Sequence, residues 1–284
     1  MYYFLSLLAG ILISIMIAVN GGLTAHYGVY TATVIIHITG IIFISAITFI
    51  KRENPFCVRH AYYLYLGGAI GVMTTVFNNI AFGRISVSAI LALGLLGQSI
   101  MGLAIDQFGL FYMPRHPFTK GKLLGLLLIF AGIASMITNF EVLAVVVSFS
   151  AGVCIILSRT LNAKLTDLTS VRTSTFFNYF VGLIIAVPVF LLLGRGEIQG
   201  FTISPTWYIY LGGLLGVGVV LTSSITALKI SAFYLTLLIF IGQVFSGVLI
   251  DIIISGVLSA RNLVGGVLVA IGLCVNLILD GRRV

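Results

Sequence analysis

Ten apolar runs, separated only by short polar or glycine- and proline-bearing joints, follow one another at about 3–20, 30–50, 61–82, 87–108, 122–138, 142–161, 171–193, 207–227, 232–254 and 262–279. A helical bilayer crossing takes about 20 apolar residues. Ten crossings therefore use most of the 284 residues, and no separate soluble domain fits beside them. Only 8% of the residues are charged, against about a quarter in a soluble domain. The expected fold is an all-α integral membrane bundle of ten transmembrane helices. The runs are continuous rather than alternating, which argues against a barrel of strands about 10 residues long.

Several function classes drop out. No GxxxxGK[ST] phosphate cradle occurs, so a nucleotide-driven pump is not expected, and no Gly-rich dinucleotide turn follows a strand. No cofactor is expected. A net charge of +8 would point a soluble protein toward nucleic acid, but here the basic residues flank apolar runs and mark the cytoplasmic leaflet, so no nucleic-acid partner is expected. Cys57, Cys154 and Cys274 are too few and too scattered for a disulfide framework. The first run lacks a basic start and a small-residue cleavage site and reads as a retained helix.

Lys and Arg set the orientation. Twelve (Lys51, Arg52, Arg59, Arg115, Lys120, Lys122, Arg159, Lys164, Arg172, Lys229, Arg282, Arg283) fall on the side of the termini and three (Arg84, Arg195, Arg261) on the other. Both termini are therefore expected in the cytoplasm. Tyr62, Tyr63 and Tyr65 then anchor the inner interface and Trp207 the outer one.

The chain also contains itself twice. Tyr65-Leu66-Gly67-Gly68 with Gly71-Val72 returns as Tyr210-Leu211-Gly212-Gly213 with Gly216-Val217, an offset of 145. Ile85-Ser86, Gly97-Gln98, Gly102 and Ile105-Asp106 return at the same offset, giving thirteen identities. Upstream the offset is 142 (Asn20 with Asn162, Gly40 with Gly182), and downstream it is 140 (Gly125 with Gly265, Gly132 with Gly272). Residues 1–140 and 141–284 are thus expected to be two five-helix repeats. Five is odd, so the second copy enters the bilayer from the opposite face. That is the inverted-topology layout of many secondary transporters, which rock around a midplane site by alternating access.

Two such units, each with a Gly-Gly-x-x-Gly helix and a Gly-Gln helix, the first closing on Asp106-Gln107-Phe108-Gly109-Leu110, resemble the drug/metabolite transporter superfamily. More narrowly, they resemble a tandem fusion of its short five-helix inner-membrane exporter branch. The resemblance implies a 5+5 helical fold with a central cavity, multi-pass residence in a bacterial-type inner membrane, and secondary active transport of a small organic metabolite or drug-like solute, with export favoured. In that branch a Gln is expected four residues before the Asn of the first helix. Here Met16 precedes Asn20 and Ser158 precedes Asn162.

Polar residues inside apolar runs are costly unless they work. Gln98 and Gln243 are repeat counterparts near the middle of their runs, and an amide grips a neutral or zwitterionic solute without the desolvation cost of a charge. Bonding to a neighbouring helix is the alternative. His37 corresponds to Tyr179, and Asn78 and Asn79 correspond to Ser223 and Ser224. Together with Asn20 and Asn162 these are the candidate substrate-binding residues. His37 is also the candidate proton carrier. Asp106 and Asp251 end their helices where the dipole disfavours an anion and need partners. Inversion places Asp106 beside Lys229 and Asp251 beside Arg84, two candidate cross-repeat ion pairs that alternate as gates. The Gly67/Gly71, Gly212/Gly216 and Gly121/Gly125 pairs read as packing seams, with Gly97 and Gly242 as room for solute beside the glutamines.

The preferred function is a secondary carrier. A flippase for a lipid-linked sugar has the same superfamily shape, and an intramembrane enzyme is the other alternative, although HExxH does not occur and neither paired midplane aspartates nor a GxSx nucleophile turn suited to proteolysis is evident. The sequence leaves the solute, the coupling ion and the oligomeric state open.

Overall fold

The computed structural model describes residues 1–57, 60–110, 121–136, 141–198, 202–227, 229, 232–256 and 259–281. Among them, ten helices form: α1 (Tyr2–Tyr27), α2 (Val29–Ile50), α3 (Leu66–Ala81), α4 (Val87–Phe108), α5 (Gly121–Met136), α6 (Val142–Leu168), α7 (Val171–Leu193), α8 (Gly212–Ala227), α9 (Ala232–Ser255) and α10 (Ala260–Gly281). Single 3-10 turns at Tyr62–Tyr65 and Trp207–Leu211 lead into α3 and α8. Eight segments are long and apolar enough to cross a membrane, while α5 and α10 hold shorter apolar stretches, Leu123–Met136 and Ala260–Val275.

α1 and α6 each run seven residues beyond the ends expected at 20 and 161. The polar residues at those expected ends, Asn20 and Asn162, do not end the helices. Asn20 and Asn162 are both buried between helices, so their polarity is turned toward neighbouring helices and the backbone ladder continues past them.

Packing repeats the internal duplication. α1 lies on α9 and α8, and α6 lies on α4 and α3; α2 packs on α7, α4 on α9 and α5 on α10. Exchanging the two repeats turns this set into itself. The glycines show it residue by residue. A Cβ on Gly10 would strike the Ile239 carbonyl, and one on Gly152 would strike the Gly94 carbonyl. Gly242 faces the Leu7 carbonyl as Gly97 faces that of Phe149, and Gly213 meets Ile36 and Gly40 as Gly68 meets Asn178 and Gly182. Every partner shifts by 142 in the first two helices of a repeat and by 145 in the next two. Between α5 and α10, Gly125 meets Gly272 while Gly132 meets Gly265, so the two helices run in opposite senses. These are seams where missing side chains let backbones touch.

Among the described residues five buried apolar clusters fill the space between helices, one of them Ala81, Ile90 and Val147 between α3, α4 and α6. Ala92, Leu96, Ile129, Ile133, Phe240, Val244 and Val269 join α4, α5, α9 and α10. Ile13, Ile17, Leu91 and Ile239 join α1, α4 and α9, Ile44, Leu165, Phe177 and Val217 join α2, α6, α7 and α8, and Leu23, Ala32 and Ile209 close one end beside α1 and α2.

Candidate functional site

Where α2 crosses α7, both helices carry small residues. Gly40 accommodates the Tyr179 ring and Gly182 the His37 ring, so the two side chains meet with centroids 5.8 Å apart. His37 Nδ1 lies 2.8 Å from the Thr33 carbonyl. A carbonyl only accepts, so Nδ1 carries the proton and Nε2 is left as the acceptor. Both residues are buried. The Tyr179 hydroxyl is directed at Gly216, with the Met16 sulfur beside the same glycine.

On either side of this crossing sits one of the two repeat-related asparagines, each against the first glycine of the other repeat's Gly-Gly pair: Asn162 on Gly67 and Asn20 on Gly212. Their surroundings differ. Asn162 Nδ2 donates to Asn178 Oδ1 at 2.8 Å and to Ser158 Oγ at 3.3 Å, and Ser158 Oγ donates to the Gly67 carbonyl at 2.8 Å. At the matching positions around Asn20 stand Met16 and Ile36, and Asn20 Oδ1 is buried without a hydrogen bond among the described residues. A buried unpaired acceptor costs about 1–3 kcal/mol.

The glutamines lie elsewhere, on the α4 and α9 seams. Gln98 Nε2 donates to its own helix, to the Gly94 carbonyl at 3.4 Å. The main-chain carbonyl of Gln243 accepts from Ser14 Oγ at 2.7 Å. Both side chains are buried. The room expected beside them is taken: the Phe149 and Leu7 carbonyls occupy the space at Gly97 and Gly242, so these glycines are backbone seams. Asn79 Nδ2 donates to Thr33 Oγ1 at 3.3 Å, one turn from His37. Asn78 is partly buried on the same helix. Ser223 donates back to the Val219 carbonyl at 2.7 Å, and Ser224 is buried beside it.

The ends of the bundle are tied across the repeats by carboxylates, and one expected pairing is replaced. Asp251 does not meet Arg84. Its Oδ1 accepts from the Val87 N–H at 2.8 Å, and its Oδ2 accepts from the Ser88 N–H at 3.1 Å, from Ser88 Oγ and from Asn262 Nδ2. Arg84 instead pairs with Glu141. Asp251 thus answers the unfavourable end of its own helix with the favourable end of α4, where amides are fixed in place and no long side chain has to be ordered. The Asp106 side chain lies outside the described residues, as do 228, 230 and 231 around Lys229, whose own side chain is exposed.

Two further carboxylates were not singled out from the sequence. Glu197 caps α2, accepting from the Tyr30 N–H at 3.0 Å, the Thr31 N–H at 2.8 Å and Thr31 Oγ1 at 3.0 Å. Gly28 makes room for it, since at φ 86 it takes a backbone conformation open to glycine and any Cβ would meet the carboxylate. Glu53 does the reciprocal work at α7, accepting from Ser170 Oγ at 3.1 Å and from the Arg172 guanidinium. Each follows the second helix of its own repeat and binds the second helix of the other, a signal that was present in the repeat offset. Near the Glu197 end, the Tyr27 and Tyr210 hydroxyls bond to each other and both accept from the Ser204 N–H at 3.0 Å.

The Arg172 hydrogen bond holds the Glu53 carboxyl below its ordinary value of 4.5. A depressed value stabilises the fold above the ordinary titration range, and that stability is lost as pH falls through the lower folded value. The pair is partly exposed, which limits it to under about 1 kcal/mol. Glu53→Gln should therefore lower the melting temperature by about 2 °C at neutral pH, and the difference should close in an acid scan. A gap that persists unchanged at low pH would show that charge is not what Glu53 contributes.

A family model described as "Putative inner membrane exporter, YdcZ" matches the chain twice, over residues 1–135 and 143–275. Among solved structures, a crystal structure of a protein is similar at a TM-score of 0.66 and 14% identity, over 99% of this chain and 96% of the other. At that identity the likeness speaks to fold alone. No curated protein matches the chain.

Proposed function

This chain belongs to that family of inner-membrane exporters and is a multi-pass membrane protein; from this premise we propose that it is a secondary active carrier that moves a small organic solute by alternating access. The two units, 1–140 and 141–284, cross the bilayer ten times in opposite orientations, with both termini in the cytoplasm. The observation that carries the reading is the reciprocal packing of equivalent residues. Gly10 on Ile239 is matched by Gly152 on Gly94, and Gly125 on Gly272 by Gly132 on Gly265. Such an exchange of partners is what two copies threaded oppositely through one membrane produce, and it supplies two related closures around one centre.

The solute is held by the polar groups flanking the α2/α7 crossing: Tyr179, His37, Asn79 with Asn78, Asn20, Asn162, Ser223 and Ser224, with Gln98 and Gln243 on the adjoining seams. His37, whose free nitrogen is an acceptor, is the residue available for coupling to protons. Asp251 of α9, bound to the start of α4, closes one end, with the Arg84–Glu141 pair as a second tie. By repeat symmetry Asp106 and Lys229 serve the other end. Export is the direction the family implies.

The test is transport in proteoliposomes over a panel of amino acids, sugars, nucleosides and aromatic drugs, with and without a pH gradient. Gln98→Leu and Gln243→Leu should fold and lose most of the flux that the wild type shows. Unaltered kinetics in both would remove the glutamines from the solute path, and a wild type that moves no member of the panel would count against the carrier reading itself.

A further inference from the structure

The sequence pattern assigned Arg159 to the cytoplasmic flank, but α6 continues for nine more residues, 160 to 168, about 13 Å of helix at 1.5 Å per residue. Arg159 is therefore inside the span, partly buried, and it has no ion pair or hydrogen bond among the described residues. The acids with described side chains are engaged elsewhere, Glu53 with Arg172, Glu141 with Arg84, Glu197 with the start of α2 and Asp251 with the start of α4, while the side chains of Asp106 and Asp280 lie outside the described residues. Asp167, on the same helix, is exposed. An unpaired guanidinium inside a membrane span is expensive and is retained where it has work to do.

The direction in which it works follows from the pseudo-two-fold exchange. The counterpart of Arg159 is Ile17, which is buried with Ile13, Leu91 and Ile239 between α1, α4 and α9. The seams that fix this exchange, Gly10 on Ile239 and Gly152 on Gly94, lie on the same two helices. Arg159 thus occupies the position that faces the interior between repeats rather than the lipid. Around it the exchange replaces Val219 by Thr74 and Met16 by Ser158, and Ser158 and Asn162 share its helix. At these matched positions the α1 side is apolar, and the α6 side is polar and carries a positive charge.

We propose that Arg159 forms an anion-binding subsite in the interior half built around α6, and that the solute carries a carboxylate or phosphate group which this guanidinium engages. The assignment rests on the carrier reading above. A guanidinium matches such groups with paired, charge-assisted hydrogen bonds, and an anion bound there supplies the countercharge that none of the described residues provides.

The experiment uses the full chain in phosphatidylcholine nanodiscs and reads thermal shifts with glutamate against glutamine, glucose 6-phosphate against glucose, and benzoate against benzamide. At least one charged member should stabilise the wild type more than its neutral partner. Arg159→Gln should weaken that anion's apparent affinity by about tenfold or more, Arg159→Lys should weaken it less, and Lys51→Gln, on the exposed loop, should leave it unchanged. Equal responses to charged and neutral members, including no response to any, overturn the proposal, as does an Arg159→Gln protein with wild-type affinity. If Arg159→Gln does not fold, Arg159→Lys carries the test, and an affinity unchanged by loss of the planar fork overturns it. Stabilisation by phosphatidylglycerol in the disc and by no soluble anion assigns the charge to a lipid headgroup and also overturns it. Transport of neutral solutes alike by wild type and Arg159→Gln, without discrimination by charge, removes the subsite and leaves the carrier standing. Charge-selective binding with no flux of any compound in proteoliposomes does the reverse.

Discussion

Gly152→Val is expected to destabilise the protein by about 3 kcal/mol, the upper part of the range for overpacking. The Cβ it adds would land on the carbonyl of Gly94, with that residue's Cα also within contact. Neither atom belongs to a side chain that can swing away, so α4 and α6 must separate. Their separation opens the neighbouring Gly97–Phe149 contact and disturbs the Asn162–Ser158–Gly67 bonds two turns further along α6. Gly102→Ala is the matched control. Gly102 lies on α4 with nothing within 4 Å of its added Cβ, and Ala gains up to about 1 kcal/mol over Gly in a helix. Thermal unfolding in detergent should show a large loss for the first variant and none for the second. Comparable melting temperatures for Gly152→Val and wild type would mean that the α4/α6 seam is not packed as described.

The second large effect is all-or-none. In a variant with Cys154 and Cys274 replaced by alanine, the native Cys57, exposed after α2, should react with a membrane-impermeant maleimide only after cells are permeabilised. With Cys57 also removed, Ile203→Cys, at an exposed position before α8, should react in intact cells. Labelling of both from one compartment would mean that the two repeats enter the membrane the same way round, and the alternating-access reading would have no structural basis.

Where helices begin and end was largely readable, because span polarity and joint polarity differ so sharply. Runs expected at 87–108 and 171–193 coincide with α4 and α7. The misses share one cause. The expected spans stop at or just before Asn20 and Asn162, and Arg159 counts to the cytoplasmic flank, whereas the helices run on past all three, with both asparagines buried and Arg159 partly buried. Hydropathy along a chain reports polarity and carries no information about the face on which it falls. Asp251 teaches a related lesson. That it needed a positive partner across the repeat was evident from its place at a helix end. That the partner is a row of backbone amides rather than Arg84 was not, since every helix start offers such amides and only packing brings one within reach. The offset of the repeat was a stronger guide than any single motif, for it maps Glu53 near Glu197 and anticipates their exchange of partners.

The contrast between Asn20, whose side-chain carbonyl has no hydrogen bond among the described residues, and Asn162, whose Nδ2 donates twice, bears on energetics as well as recognition. An assembly of two identical five-helix subunits would have facing states of equal free energy in the absence of solute. Tandem fusion removes that degeneracy. If the bare carbonyl is sequestered in one state and hydrated in the other, a difference of about 1.4 kcal/mol would already populate one orientation tenfold over its mirror. The empty protein then rests with a preferred side open, a bias written into the divergence of its halves.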